Sequence, residues 1–417
     1  MQKVKNRWLI AASAVGLHIS IGAVYAWSVF QNPMAEEYGW STTQISFAFS
    51  LAIFFLGFSA AFLGKFVEKH GPRRSGLVAA VFYGIGIAGS GLATYVESLA
   101  LLYVFYGVIG GIGLGIGYIT PVSTLVKWFP DRRGLATGMA IMGFGFAATI
   151  TSPIAENLIR NVDIPATFAI LGVCYFIIMF LASLYLSPPP KDWLPKGYVP
   201  PKDSENSGGK IKKDLTQLTA KQAINTSRFW MLWFMLFINV TCGIAILSVA
   251  AKMGEEVTGM TSIAAASMVG IMGFFNGGGR IFWATISDYI GRPNVYTTFF
   301  VISIVAYFIL PFATSAILFQ ILLFAVMSTY GGGFSSIPAY LSDVFGTKEV
   351  GAIHGYILTA WAMAGLAGPL LLSTIYDTSK SYTLTMNIFV VLFIIAFVLS
   401  MWIRKDIKRL SEKRKAA

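Results

Sequence analysis

Charge is scarce in this chain of 417 residues: 12% are Asp, Glu, Lys or Arg, against 56% that are hydrophobic. A soluble core of that size could not bury so much apolar surface, so lipid must serve as solvent for much of it. Cysteine is nearly absent, with only Cys174 and Cys242, both inside apolar stretches, which excludes a disulfide framework or a zinc site and reads them as packing residues. Histidine is limited to three, with no paired haem ligands among them, which disfavours an electron carrier. Short alternating apolar segments are missing, and with them the case for a closed β-barrel. What fills the sequence instead is a series of apolar runs of about 20 residues, the length that crosses a bilayer as a helix.

The runs predict twelve transmembrane helices at 8–30, 44–64, 75–95, 99–126, 134–158, 164–186, 228–251, 262–285, 294–313, 316–341, 350–375 and 383–403. The first follows Lys3, Lys5 and Arg7 as a signal peptide would, but it is too long and lacks a small-residue cleavage site, so it is retained as helix 1. The net charge of +12 could suggest nucleic acid, yet topology accounts for it. With the N-terminus inside, 27 of the 31 basic residues fall on the cytoplasmic side, three (Arg160, Lys252, Lys380) fall outside, and Arg280 lies within a span. Both termini are therefore expected in the cytoplasm. The short termini and the lack of a transit peptide point to a bacterial or archaeal plasma membrane, with the bacterial inner membrane as the expected location. No nucleic-acid partner is expected.

Residues 187–227, rich in Pro, Lys, Ser and Gly and including Ser207-Gly208-Gly209-Lys210, read as a cytoplasmic linker between two six-helix halves, 1–186 and 228–417. The halves share punctuation. Glu68 and Asp288 are 220 positions apart, as are Gly71 and Gly291; Phe129, Gly134 and Gly138 correspond to Phe345, Gly351 and Gly355 at offsets of 216 or 217. Tandem halves of this kind bind substrate near the midplane and rock against each other. Acids beside tight glycine turns and arginines at helix ends suit a conformational latch, for which the candidates are Glu68, Arg73, Arg74, Asp131, Arg132, Arg133, Asp288 and Arg292. Such a carboxylate can pair with a base or cap a neighbouring helix.

Tyr25-Ala26-Trp27-Ser28-Val29-Phe30, Trp128-Phe129-Pro130-Asp131-Arg132-Arg133-Gly134 and Asn276-Gly277-Gly278-Gly279-Arg280 resemble the oxalate:formate antiporter family of the major facilitator superfamily, which is similar to the monocarboxylate transporters of lactate and pyruvate. The resemblance covers nearly the whole chain outside the linker. It implies an all-α fold of twelve helices in two pseudo-symmetric halves.

Arg280 is the one cation placed inside a span, and every acidic residue falls in a loop or near a helix end. A charge near the bilayer centre costs about 2.5–3.5 kcal/mol on insertion scales, so an anionic substrate accepting a bidentate pair from the guanidinium is the simplest completion. Asn276, one turn earlier, shares its face and can bond a ligand oxygen. Tyr118 and Tyr330 lie at comparable depths in corresponding helices, with Phe144 and Phe334 as an apolar wall and Tyr25, Trp27 and Trp361 as further binding candidates. The resemblance places Tyr118, Phe144, Tyr330 and Phe334 at binding-cavity positions of the oxalate carrier. It also aligns Trp361 with that carrier's second intramembrane cation. One cation in place of two favours one carboxylate: lactate, pyruvate, glycolate or formate over oxalate.

The lactate carriers use protons, often with an acid where this chain has Asn276, so His18 and His354, both within spans, become proton-relay candidates. Obligatory exchange is the rival mechanism, and a carboxylate sensor of the same fold the rival function. The glycines from Gly107 to Gly117 follow no strand and do not make a nucleotide-binding loop; they read as helix packing. Neither a nucleophile elbow nor a metal-ligand cluster is present to suggest an enzyme. A monomer without cofactor or metal is expected.

Overall fold

The computed structural model describes residues 4–200 and 214–416; Lys3 and the Ser207-Gly208-Gly209-Lys210 run lie outside them. Regular structure among the described residues is helical: α1 (Arg7–Gly22), α2 (Ser28–Tyr38), α3 (Thr42–Tyr95), α4 (Leu99–Leu102), α5 (Gly111–Trp128), α6 (Arg133–Asn161), α7 (Ile164–Tyr185), α8 (Ala220–Ile224), α9 (Ser227–Thr258), α10 (Ser262–Ile290), α11 (Arg292–Ile309), α12 (Ala316–Phe345), α13 (Val350–Ser379) and α14 (Thr383–Ala416). In lipid no water is at hand for backbone groups, so each crossing closes its own hydrogen bonds. Among the described residues ten helices are long and apolar enough to cross a membrane. One of them, α3, is two spans joined at Gly71, where φ is 76° and ψ 169° and Pro72 follows. The 29-residue α10 falls outside the ten, its apolar content diluted by Asn276, Gly277–Gly279 and Arg280. Counting it and the two parts of α3 gives the twelve expected crossings.

Polar side chains start the helices where the sequence supplies them. Asn6 accepts from the Trp8 N–H, Ser41 and Gln44 form a reciprocal capping box, Asp163 accepts from Ala166, and Thr226 and Thr261 cap α9 and α10. The tandem repeat is visible in the backbone itself. Gly39 (φ 67°) and Gly259 (φ 70°) end α2 and α9 in the left-handed region, 220 positions apart. Gly71 (φ 76°) and Gly291 (φ 90°) repeat at the same offset. The second pair is among the sequence repeats given above, and the first adds to them.

Packing divides the chain into two compact units. Unit 1 comprises Met1–Asp131, Met139–Lys196 and Glu349–Ala362, and unit 2 comprises Arg132–Gly138, Gly197–Lys348 and Met363–Ala417. The first turns of α6 therefore belong to unit 2 and those of α13 to unit 1. Glycine permits both attachments. A Cβ on Gly138 would meet the Arg280 carbonyl of α10 at 3.0 Å, and one on Gly355 would strike the Ala60 carbonyl of α3. In unit 2, α12 lies closely on α10: side chains at Gly331 and Gly332 would collide with Asn276 and Trp283.

A Cβ at Gly71 or at Gly39 would meet nothing within 4 Å, so replacing either isolates backbone strain. Gly71 sits in a region open essentially to glycine alone, whereas Gly39 is in the ordinary left-handed well. Gly71→Ala is expected to lose about 2–3 kcal/mol and Gly39→Ala about 1 kcal/mol, read as a larger fall in detergent melting temperature for the former.

Candidate functional site

Arg280 lies in the second half of α10, with 1% of its surface exposed. Its Nε donates to Asn276 Oδ1 one turn earlier at 3.2 Å, and the guanidinium carbon stands 5.6 Å from the centre of the Phe334 ring. Phe334 packs edge-on to Tyr330, centroids 5.7 Å apart, both from α12 and both buried. Unit 2 thus gathers four expected residues, Arg280, Asn276, Tyr330 and Phe334. Planar, fixed in charge and backed by an amide and an aromatic face, the Arg280 head is suited to a carboxylate. Its backbone carbonyl accepts from Ser335 Oγ at 2.6 Å, and the Ser335 carbonyl accepts from Thr137 Oγ1 at 2.9 Å in the first turns of α6.

Unit 1 gathers a second group. Tyr118 of α5 is its centre, with ring centroids 5.2 Å from His18, 5.5 Å from Phe144, 5.6 Å from Trp361 and 5.8 Å from His354. Tyr25 closes on Phe144 at 5.0 Å and on Trp361 at 6.4 Å. Trp27 is not with them. The 3-10 turn Ala23–Ala26 and its own place two residues beyond Tyr25 send it against Tyr106, 4.0 Å between centroids, in a small cavity also lined by Tyr83, Thr151, Phe168 and Tyr175. Tyr106 belongs to an eight-residue π-helical segment, Tyr103–Gly110, preceding α5.

Charges collect at the helix ends, in a pattern that repeats with altered sign. In unit 2 the Asp288 carboxylate accepts from the Gly134 and Leu135 N–H groups at 2.9 Å each, capping α6. Arg292 binds Asp288 at 2.7 Å and Asp343 at 3.1 Å, while Arg133 binds Asp343 at 3.0 Å and also pairs with Asp214. Residues 214–218 run along the end of α12: Leu215 and Leu218 N–H groups donate to the Asp343 and Phe345 carbonyls, both at 2.9 Å. In unit 1 Glu68 accepts from the Gly351 N–H of α13 at 2.8 Å and pairs with Lys127 at 2.7 Å. Asp131 takes a two-pronged bond from Arg7, at 2.7 and 3.2 Å. Arg73, Arg74 and Arg132 are exposed.

A profile of the Major Facilitator Superfamily matches residues 12–369 and, in an overlapping second match, 268–417. The chain belongs to the Major Facilitator Superfamily. It is 29% identical over 367 residues to the oxalate:formate antiporter of Oxalobacter formigenes, covering 87% of this chain and 83% of that one. It is 22% identical over 449 residues to the apicoplast pyruvate carrier 1 of Toxoplasma gondii, covering 85% and 81%. Among solved structures the E. coli fucose:proton symporter FucP aligns at a TM-score of 0.73 and 15% identity, over 95% of this chain and 99% of that one, a likeness of fold alone. Family and fold are those of multi-pass membrane transporters.

Within this superfamily chain, four end-cluster residues were not singled out from sequence: Arg7, Lys127, Asp214 and Asp343. A signal for two of them existed. Lys127 and Asp343 are 216 apart, the offset of Phe129 and Phe345, but they carry opposite charges and so do not read as a repeat. Removing the carboxylate charge in Asp288→Asn leaves the buried Arg292 short of a partner and weakens the α6 cap; the expected loss is about 3 kcal/mol. Glu68→Gln, opposite a more exposed lysine, is expected to cost about 1 kcal/mol. Thermal unfolding of the two variants in detergent checks the order.

Proposed function

We propose that this transporter carries small monocarboxylates of the lactate and pyruvate type, each anion with a proton, by alternating access in a bacterial inner membrane with both termini cytoplasmic. The observation that carries the reading is the buried Arg280 guanidinium with Asn276 bonded to it on the same helix face. The substrate carboxylate binds the guanidinium, Asn276 serves a keto or hydroxyl oxygen, and Tyr330 and Phe334 flank them. Tyr118, Phe144, Trp361 and Tyr25, which unit 1 gathers by itself, are further substrate-binding residues in this reading. Trp361 sets specificity: where the resemblance places a second cation, an uncharged indole leaves a second carboxylate without compensation. The pyruvate-carrier relative supports the substrate class, and the distribution of 27 of 31 basic residues supports the orientation. Obligatory exchange is the second reading, favoured by the antiporter relative.

Uptake of labelled lactate and oxalate into proteoliposomes tests both. Arg280→Lys keeps the charge but loses the planar fork, and is expected to lower lactate kcat/KM about 10–100-fold. Trp361→Lys is expected to raise oxalate uptake relative to lactate. Lactate uptake into empty vesicles that follows an inward proton gradient supports symport; uptake only into preloaded vesicles makes the protein an exchanger.

A further inference from the structure

We propose that His354 carries the proton of the transport cycle, in a His354–Tyr118–His18 set built inside unit 1. This rests on the reading of proton-coupled carboxylate transport and assigns the coupling that Arg280 cannot perform, since a guanidinium does not give up its proton.

The requirement is a group inside a span that ionises near neutrality. With Asn276 where an acid could stand beside Arg280, the carboxylates lie toward the helix ends, and imidazole is the remaining side chain with an ordinary pKa in that range. Of the three histidines, His70 sits at the Gly71 bend, its Nδ1 3.0 Å from the Phe66 carbonyl. The other two converge on one ring. His18 comes from α1 and His354 from α13, with centroids 5.2 and 5.8 Å from that of Tyr118, and all three residues are at most 1% exposed. Three separate spans are needed to assemble this set.

The hydrogen bonds differ between the two imidazoles. His18 Nδ1 lies 3.2 Å from the Ala14 carbonyl. A carbonyl can only accept, so Nδ1 carries the hydrogen and Nε2 is left as the base of the neutral ring. For His354, neither ring nitrogen has a hydrogen-bond partner among the described residues. A buried imidazole left in that condition in one conformation is available for a proton or a transient donor in another.

Charged groups stand one helical turn away. Gly351, one helical turn before His354, is the residue whose N–H is held by Glu68, and Glu68 pairs with Lys127. The titratable and charged groups facing this part of α13 are thus His18 from α1, Tyr118 and Lys127 from α5, and Glu68 from α3; Phe144 of α6 adds an uncharged ring. Glu68 and Lys127 pair with each other, and the proton taken by His354 is matched by the one negative charge of the anion that Arg280 binds, so loading adds no net charge to the carrier. The balance is simple: one proton adds to a neutral His354 nitrogen from one side, one carboxylate is carried with it, and the same nitrogen releases the proton on the other side. His354 ends neutral and no net charge moves.

A group that only carries the proton is required for net flux and dispensable for exchange, because an exchanging carrier never has to return empty and deprotonated. His354→Gln and His354→Asn, reconstituted in liposomes, are therefore read in two assays: lactate-for-lactate exchange at equal pH, and lactate accumulation driven by an inward proton gradient. At least one variant is expected to exchange within about threefold of wild type while its proton-driven accumulation falls at least tenfold. His18→Gln is expected to move the pH dependence of accumulation. Accumulation at the wild-type level in an exchanging His354 variant would overturn the assignment, and so would loss of exchange in both variants. Failure of the underlying reading would instead show in the wild type, as exchange without accumulation.

Discussion

A guanidinium keeps its proton at any pH the protein meets, so burying Arg280 in a membrane-spanning helix obliges unit 2 to be built around a fixed positive charge. Asn276 holds its Nε, the Phe334 face lies under the positive carbon, and α12 comes close enough to supply that face because Gly331 and Gly332 remove the side chains that would collide with α10. The same residue anchors a continuous polar path. Its carbonyl binds Ser335, the Ser335 carbonyl binds Thr137, and three residues before Thr137 the N-terminus of α6 is capped by Asp288, which passes the connection to Arg292, Asp343 and Arg133. A change at Arg280 and a change at the end of α6 thus act on one hydrogen-bonded chain inside one unit.

The two halves repeat as scaffold and differ as chemistry. The position that corresponds to Arg280 at the offset of 220 is Ala60, and the backbone arrangement around the pair is shared: Gly138 lies against the Arg280 carbonyl as Gly355 lies against that of Ala60. Glu68 and Asp288 each cap the helix that begins near the equivalent glycine, yet one is balanced by Lys127 and the other by Arg292, with Asp343 standing where Lys127 does in the repeat. Close backbone approach depends on glycine and so survives in both halves. Charge needs only a balanced sum, which can be met by different residues.

Apolar length alone located the crossings, because lipid imposes helix on each of them, and the offset of Gly71 and Gly291 exposed the repeat. The grouping of Arg280, Asn276, Tyr330 and Phe334 was legible since each pair lies on one helix at a spacing of four. Trp27 was legible in principle: two residues from Tyr25 on a helix is nearly the opposite face, and the structure places it against Tyr106. Arg73 and Arg74, latch candidates close to Glu68 in sequence, are exposed, and the base that pairs with Glu68 is Lys127 from another span. The convergence of His18 and His354 on Tyr118 had no sequence signal, because it depends on how three distant spans pack.

The central claim is that Arg280 binds the substrate through its carboxylate. The most direct measurement is the ligand-induced rise in melting temperature of the purified protein in detergent, with lactate compared against neutral lactamide for wild type and Arg280→Gln. Lactate should stabilise the wild type, lactamide should not, and the lactate effect should vanish in the variant. Equal stabilisation by the two ligands, or a lactate effect retained in Arg280→Gln, would contradict the account.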